Sequence, residues 1–164
     1  MRKQTTYDRL CKQTNQGWFS LAMTTLRVGL GLVFLNAGLS KMTDWSAAGY
    51  LQGSTGPLAD WFISLAGNPF VDQLNVWGLT LIGVALILGI LVRPASLFGI
   101  LVMALYYLSD FEGNTSHGLI DEHIIYALIF LLFLSGGIGH VFGLDGLIFA
   151  RIRKKGIWVK ALLG

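Results

Sequence analysis

The sequence predicts an all-α fold: an integral membrane four-helix bundle with a short amphipathic helix in the first extracytoplasmic loop. Three observations carry this prediction. The 164 residues are 54% hydrophobic and only 13% charged, about half the charge of an ordinary soluble domain, and the mean hydropathy is +0.62. Four apolar segments approach the roughly 20 helical residues that cross a hydrocarbon core of about 30 Å. Basic residues gather in alternate connections, as expected of a chain whose two ends lie on one side of a membrane.

The first segment is WFSLAMTTLRVGLGLVFLNAGLSKM, Trp18 to Met42. The second is LNVWGLTLIGVALILGILV, Leu74 to Val92, and the third is PASLFGILVMALYYLS, Pro94 to Ser109. The third is short for a crossing, and Tyr106 and Tyr107 complete it at headgroup level. These two spans are joined by little more than Arg93 and Pro94, which predicts a tight antiparallel hairpin with proline in the first turn of the following helix. The fourth segment begins GLIDEHIIYALIFLLF at Gly118 and runs to about Phe142. Between spans one and two, Pro57 to Ala66 sits between Gly56 and Gly67. Its Leu58, Trp61, Phe62 and Leu65 recur at helical spacing, predicting an amphipathic helix that lies on the membrane or caps the bundle.

Charge sets the expected orientation. Arg2, Lys3, Arg9 and Lys12 lie in the leader, Arg93 in the second connection, and Arg151, Arg153, Lys154, Lys155 and Lys160 in the tail. The other connections hold Asp44, Asp60, Asp72, Asp110, Glu112, Asp121 and Glu122, with Lys41 as their one basic neighbour. The positive-inside rule places both termini in the cytoplasm of a multi-pass protein of the plasma (inner) membrane. The resulting division is a polar cytoplasmic leader over 1–17, a four-span bundle over 18–142 and a basic cytoplasmic tail over 143–164. The lipid bilayer is the expected surrounding, and nucleic acid is not an expected partner.

Several chemistries are disfavoured. Cys11 is the single cysteine, so neither an internal disulfide nor a CxxC redox centre is available. Spans one to three contain no histidine, and His123 and His140 stand at opposite ends of the fourth, which disfavours two-histidine haem. His117, Asp121 and His123 are metal-ligating types without a standard motif spacing, so no metal site is assigned. No bound flavin is evident. SGGIGH follows no strand and lies in a span, so it reads as close packing or a kink rather than a phosphate cradle.

The charged residues of the spans define two candidate sites. A central arginine costs about 2.5–3.5 kcal/mol to insert, so Arg27 needs a reason. Arg27, Gly31, Phe34, Gly38 and Lys41 share one helical face, and the small residues admit a neighbouring helix. Asp145, in GLDG after the fourth span, is the acid expected to pair with Arg27 in a structural ion pair. At the outer level, Glu122 begins a face continued by Tyr126, Ile129 and Phe133, with His123 about 100° round from Glu122. The same level holds Asn36 and Lys41 on span one, Asn75 and Trp77 on span two, and Tyr106 and Tyr107 on span three. Such convergence is how bundle sites are built. An ordinary aromatic belt with helix-start acids explains the same residues; for Asp121 that reading is preferred. Lys41 has Glu122 and Asp121 as candidate partners.

LRVGLGLVFLNAGLSKM, AAGYL, GPLADWF, AGNP, LNVWGLTLIGVALILG, LYYLS, DEHIIYAL and GLDG, taken in this order and spacing, resemble the DoxX family. The resemblance runs from about Leu26 to Gly146. It is nearest to the DoxD-like type, described as the membrane subunit of thiosulfate:quinone oxidoreductase. It implies a four-span bundle, oxidation of thiosulfate to tetrathionate, quinone as diffusible electron acceptor, and a second protein subunit. GGIGHVF departs from the Gly-Ala-Gly ending of some relatives, leaving His140 without a role.

Two main readings stay open. In the first, the chain is a redox subunit whose outer site takes quinone among Asn36, Trp77, Tyr106 and Tyr107. Glu122, His123, Tyr126 and Lys41 are then the catalytic candidates, because quinone reduction consumes protons. One lysine among seven acids is a poor site for the thiosulfate dianion. In the second, the bundle is a non-catalytic partner or scaffold of a redox complex, as a homo-oligomer or with another subunit, and Asp44 to Asp72 is its docking surface. A third reading is a small-solute or proton pathway through Arg27 and Asp145.

Overall fold

The structure, a computed structural model, describes residues 6–116 and 118–152. Among them every regular element is helical. Helix α1 spans Thr6–Leu39 and continues back through the polar stretch ahead of Trp18. No glycine or proline interrupts residues 6–16. Its apolar part, Gln16–Leu39, together with α4 (Pro69–Leu88) and α5 (Val92–Ser109), makes three helices long and apolar enough to cross a membrane. Only 28% to 33% of the residues in their most apolar windows are buried within the chain. Helices this apolar with most of their surface uncovered require lipid around them.

Helix α4 starts five residues before the expected Leu74. The reason is an N-terminal signal in the sequence: the Asn68 side chain accepts from the Phe70 amide at 3.0 Å, and Pro69 follows at the first helical position. Gly89, at φ 64°, ends α4 in the left-handed conformation. The hairpin therefore turns on 89–91, and Arg93 and Pro94 already lie within the first turn of α5.

The long first connection forms two short helices, α2 (Ala48–Gln52) and α3 (Ala59–Ser64), where the pattern announced one. After α5 come α6 (Phe111–Thr115) and then α7 (Glu122–Gly136). The fourth apolar helix was expected to reach Phe142 but stops after 15 residues, about 22 Å of helix. Gly137 takes φ 59° and breaks it; a 3₁₀ turn over Ile138–His140 and α8 (Leu144–Ile152) follow.

Helix α1 packs along α4, α5 packs along α7, and the α4–α5 hairpin joins the two pairs. Glycines set the closeness of the first pair. A Cβ at Gly31 would meet Gly83 O at 3.0 Å, and one at Gly83 would strike the Leu35 backbone. Gly38 presses on Thr80 in the same way. In the second pair, the Phe130 ring fills the notch at Gly99. Phe34 bridges the pairs, edge-on to Phe130 at 5.0 Å and to Tyr126 at 6.3 Å. A second core of Ala47, Leu51 and Phe62 packs with Leu105 and Leu108, so the α2–α3 segment lies over the end of the helices opposite the hairpin.

Candidate functional site

Under the α2–α3 segment lies an open cavity of about 750 Å³, within the range of small-molecule sites. Its walls are mostly apolar and aromatic: Trp45, Leu51, Trp61, Phe62, Val102 and Leu105 among others. Polar groups reach it from α1's end (Lys41), α4 (Asn75), α5 (Tyr106 and Ser109) and α7 (Glu122 and His123). Phe70 and Leu74 also line it while remaining 71% and 61% exposed, which leaves one rim apolar and uncovered.

The covering segment is pinned at named points. Asp72 accepts from the Ala47 amide at 2.8 Å. The Thr55 hydroxyl donates to Asp110 at 3.0 Å and accepts from the Glu112 amide, while its own amide donates to Ser109 O. The Ser109 hydroxyl lies 3.0 Å from that of Tyr50 and 2.9 Å from Tyr106 O. A hydroxyl has one proton, so Ser109 donates to the carbonyl and Tyr50 donates to Ser109.

Inside the cavity, the Tyr106 hydroxyl donates to Asn75 at 2.9 Å. The His123 ring stands edge-on to Tyr106, centroids 5.9 Å apart. His123 Nδ1 meets an Asp121 oxygen at 2.5 Å, and the other Asp121 oxygen accepts from the Ile124 amide at 3.0 Å. Burial acts to raise the Asp121 pKa, but the His123 and Ile124 hydrogen bonds outweigh it and hold the carboxyl below its ordinary value. Asp121 is thus a helix cap, as expected, and also the partner of His123. Lys41 does not pair with Glu122 or Asp121. It donates to Ala37 O at 3.2 Å and sits 5.3 Å from the centre of the Trp45 ring, and burial pushes its ammonium pKa down.

The other residues expected at this level lie elsewhere. Asn36 is exposed and does not line the cavity. Trp77 is 53% exposed and bonds Gln73 one turn back, on the outside of α4. The Tyr107 hydroxyl donates to Leu119 O. Tyr126 packs on Phe34 in the core. Conversely, Trp45, Tyr50 and Trp61 line the cavity unannounced. The aromatic spacing of the first connection was the available signal, and it showed a helix face without showing what that face covers.

At the hairpin end, Arg27 and Asp145 are each 1% exposed. They do not meet as a direct ion pair. The guanidinium donates to Ile138 O at 3.2 Å and Phe142 O at 3.1 Å. The carboxylate accepts from the Leu91 and Val92 amides at 2.8 and 3.1 Å. The Asp145 amide also donates to Gly89 O at 2.8 Å. Asp145 therefore supplies the cap that Leu91 cannot give α5, and Arg27 holds two carbonyls of the turn that follows α7. Gly89 and Gly143 lie against the guanidinium and Gly139 against the carboxylate. This is a structural clasp built from backbone groups.

Among the described residues, no group of three or more His, Cys, Asp or Glu could hold a metal ion. His117, the third residue of the candidate outer-loop cluster, lies outside the described residues, as do most of the tail's basic residues. Residues 22–109, more than half of the chain, match the DoxX family. No curated protein and no solved structure matches the chain.

Proposed function

The chain belongs to the DoxX family, and from that premise we propose that it is the quinone-binding membrane subunit of an oxidoreductase. The supporting observation is the 750 Å³ cavity, with aromatic walls, an uncovered apolar rim and Asn75, Tyr106 and His123 gathered within. A quinone has a flat ring, two carbonyls and an apolar tail. The ring suits the aromatic walls, the carbonyls need polar groups, and the tail suits the Phe70–Leu74 rim. His123 and Glu122 are the titratable groups available to exchange the protons that quinone reduction consumes.

Thiosulfate as electron donor rests on the resemblance alone. Lys41 shares the cavity with Asp110 and Glu122, a balance that does not favour a dianion, so thiosulfate oxidation is assigned to a second subunit. The proposed topology has both termini in the cytoplasm of a plasma membrane. The fourth crossing is made by α7 and the turn after it, and the cavity faces outward.

Trp45 and Trp61 line the cavity, so quenching of tryptophan fluorescence by a short-tailed quinone in nanodiscs reports occupancy. The reading expects saturable quenching in the wild type. His123→Gln and Tyr106→Phe should weaken it several-fold, each losing a hydrogen bond worth about 0.5–1.5 kcal/mol. Quenching that never saturates, or is identical in both variants, contradicts it. A scaffold reading draws on Leu58, Trp61 and Ile63, exposed on the α2–α3 segment; stoichiometric co-purification of a partner without any quinone binding would favour it.

A further inference from the structure

We infer that Asp121 is a positioning residue that fixes the tautomer of His123, so that Nε2 is the nitrogen through which the cavity exchanges hydrogen bonds and protons with its ligand. The inference rests on the quinone reading for the identity of that ligand, but its core concerns the protein alone.

One Asp121 oxygen accepts the Ile124 amide, and the other meets His123 Nδ1. An ionised carboxylate can only accept. The proton of that contact therefore belongs to Nδ1, in the neutral ring and in the cation alike. The proton that comes and goes is the one on Nε2. His123 lines the cavity, and among the described residues Nε2 has no hydrogen-bond partner, yet it is not sealed off. The Tyr106 ring beside it limits rotation of the imidazole. Asp121 is itself anchored as the cap of α7, so the pair forms a rigid unit at the cavity wall.

With a neutral ring, Nε2 presents a lone pair, which accepts from the hydroxyl of a quinol. With a protonated ring, Nε2–H donates to the carbonyl of a quinone. The other ionisable groups lining the cavity are Lys41, Tyr50, Tyr106, Asp110 and Glu122. None of them occupies Nδ1, so none replaces Asp121 in setting the tautomer.

Asp121→Asn is the informative variant. Asparagine still caps α7, but its amide can donate to Nδ1 and so allow the proton to move to Nε2. Histidine ¹⁵N spectra of the full-length protein in nanodiscs, assigned with His123→Gln, read the tautomer directly at a pH where the ring is neutral. The expected result is an Nδ1–H ring in the wild type and a shift toward Nε2–H in Asp121→Asn. An Nε2–H ring in the wild type, or an unchanged spectrum in the variant, overturns the inference. The second measurement is the affinity of a short-tailed quinol and its oxidised form. Asp121→Asn should shift the quinol-to-quinone preference toward the quinone by about three- to tenfold. Quinol and quinone binding that the variant leaves in the same ratio also overturns it. If the tautomer behaves as expected and neither ligand binds, the positioning role stands and the quinone reading falls.

Discussion

Arg27 shows how a single residue can be legible in kind and not in detail. Its presence in an apolar helix required a buried partner, and Asp145 does lie at the same end of the molecule, yet each charge is held by backbone groups. No pattern in a linear sequence shows which carbonyls a helix break will strand, or that Leu91 will start α5 without a capping side chain. Removing one charge alone leaves the other buried with its balance lost, which typically costs about 3–5 kcal/mol. Arg27→Met and Asp145→Asn should each lower the melting temperature in detergent, and the double variant should fall by less than the sum of the two. Strict additivity would show that the charges act separately. Asp121 adds a pH signature. Its pKa is lowered in the folded protein, so its stabilisation is complete above the ordinary carboxylate pKa of about 4 and is lost as pH falls through the lower folded value. Acid titration should therefore show a stability loss in that window in the wild type that is smaller in Asp121→Asn; equal slopes would remove the contribution.

Glycine placement decides the packing of the elements. Gly83 faces the α1 backbone, whereas Gly78, on the same helix, has open space where its Cβ would lie. Gly83→Ala should destabilise by about 1–3 kcal/mol through overpacking. Gly78→Ala should be neutral or stabilising by up to roughly 1 kcal/mol through helix propensity. Thermal melts of the two variants in one detergent check the contrast; similar effects would mean that α1 and α4 are not in this register. Gly31 and Gly38 were readable as a contact face because their seven-residue spacing runs through Arg27 and Phe34. The early start of α4 was also readable, from Asn68 and Pro69, but hydropathy alone places it at Leu74. The break in α7 was not predictable from composition: Gly136, Gly137 and Gly139 permit a kink, a close approach or an ending equally well. The structure takes the ending: Arg27 holds the carbonyls of the turn that follows α7, and Asp145 ties that turn to the start of α5.

At the scale of the whole molecule, the three long apolar helices followed from composition, while the covered cavity did not. The first connection carries its aromatic residues at helical spacing, and spacing cannot tell a face turned to lipid from one closed over the helix ends. Orientation is testable apart from the chemistry. In a Cys11→Ser background, an impermeant thiol reagent should label Gln52→Cys on intact cells and should reach Arg151→Cys only after lysis; the opposite pattern would invert the topology. The central claim is that the cavity beneath α2 and α3 holds a quinone, and photoaffinity labelling tests it most directly. An azidoquinone irradiated with the protein in nanodiscs, with and without excess unlabelled quinone, should attach to the segments around Trp45–Leu51, Trp61–Asn75 and Val102–Asn114. Excess quinone should suppress that attachment, and Leu105→Trp, which fills the cavity, should abolish it, while Leu101→Trp on the exposed face of α5 should leave it intact. Labelling spread along the exposed helix faces, unaffected by competitor and by Leu105→Trp, would contradict the account.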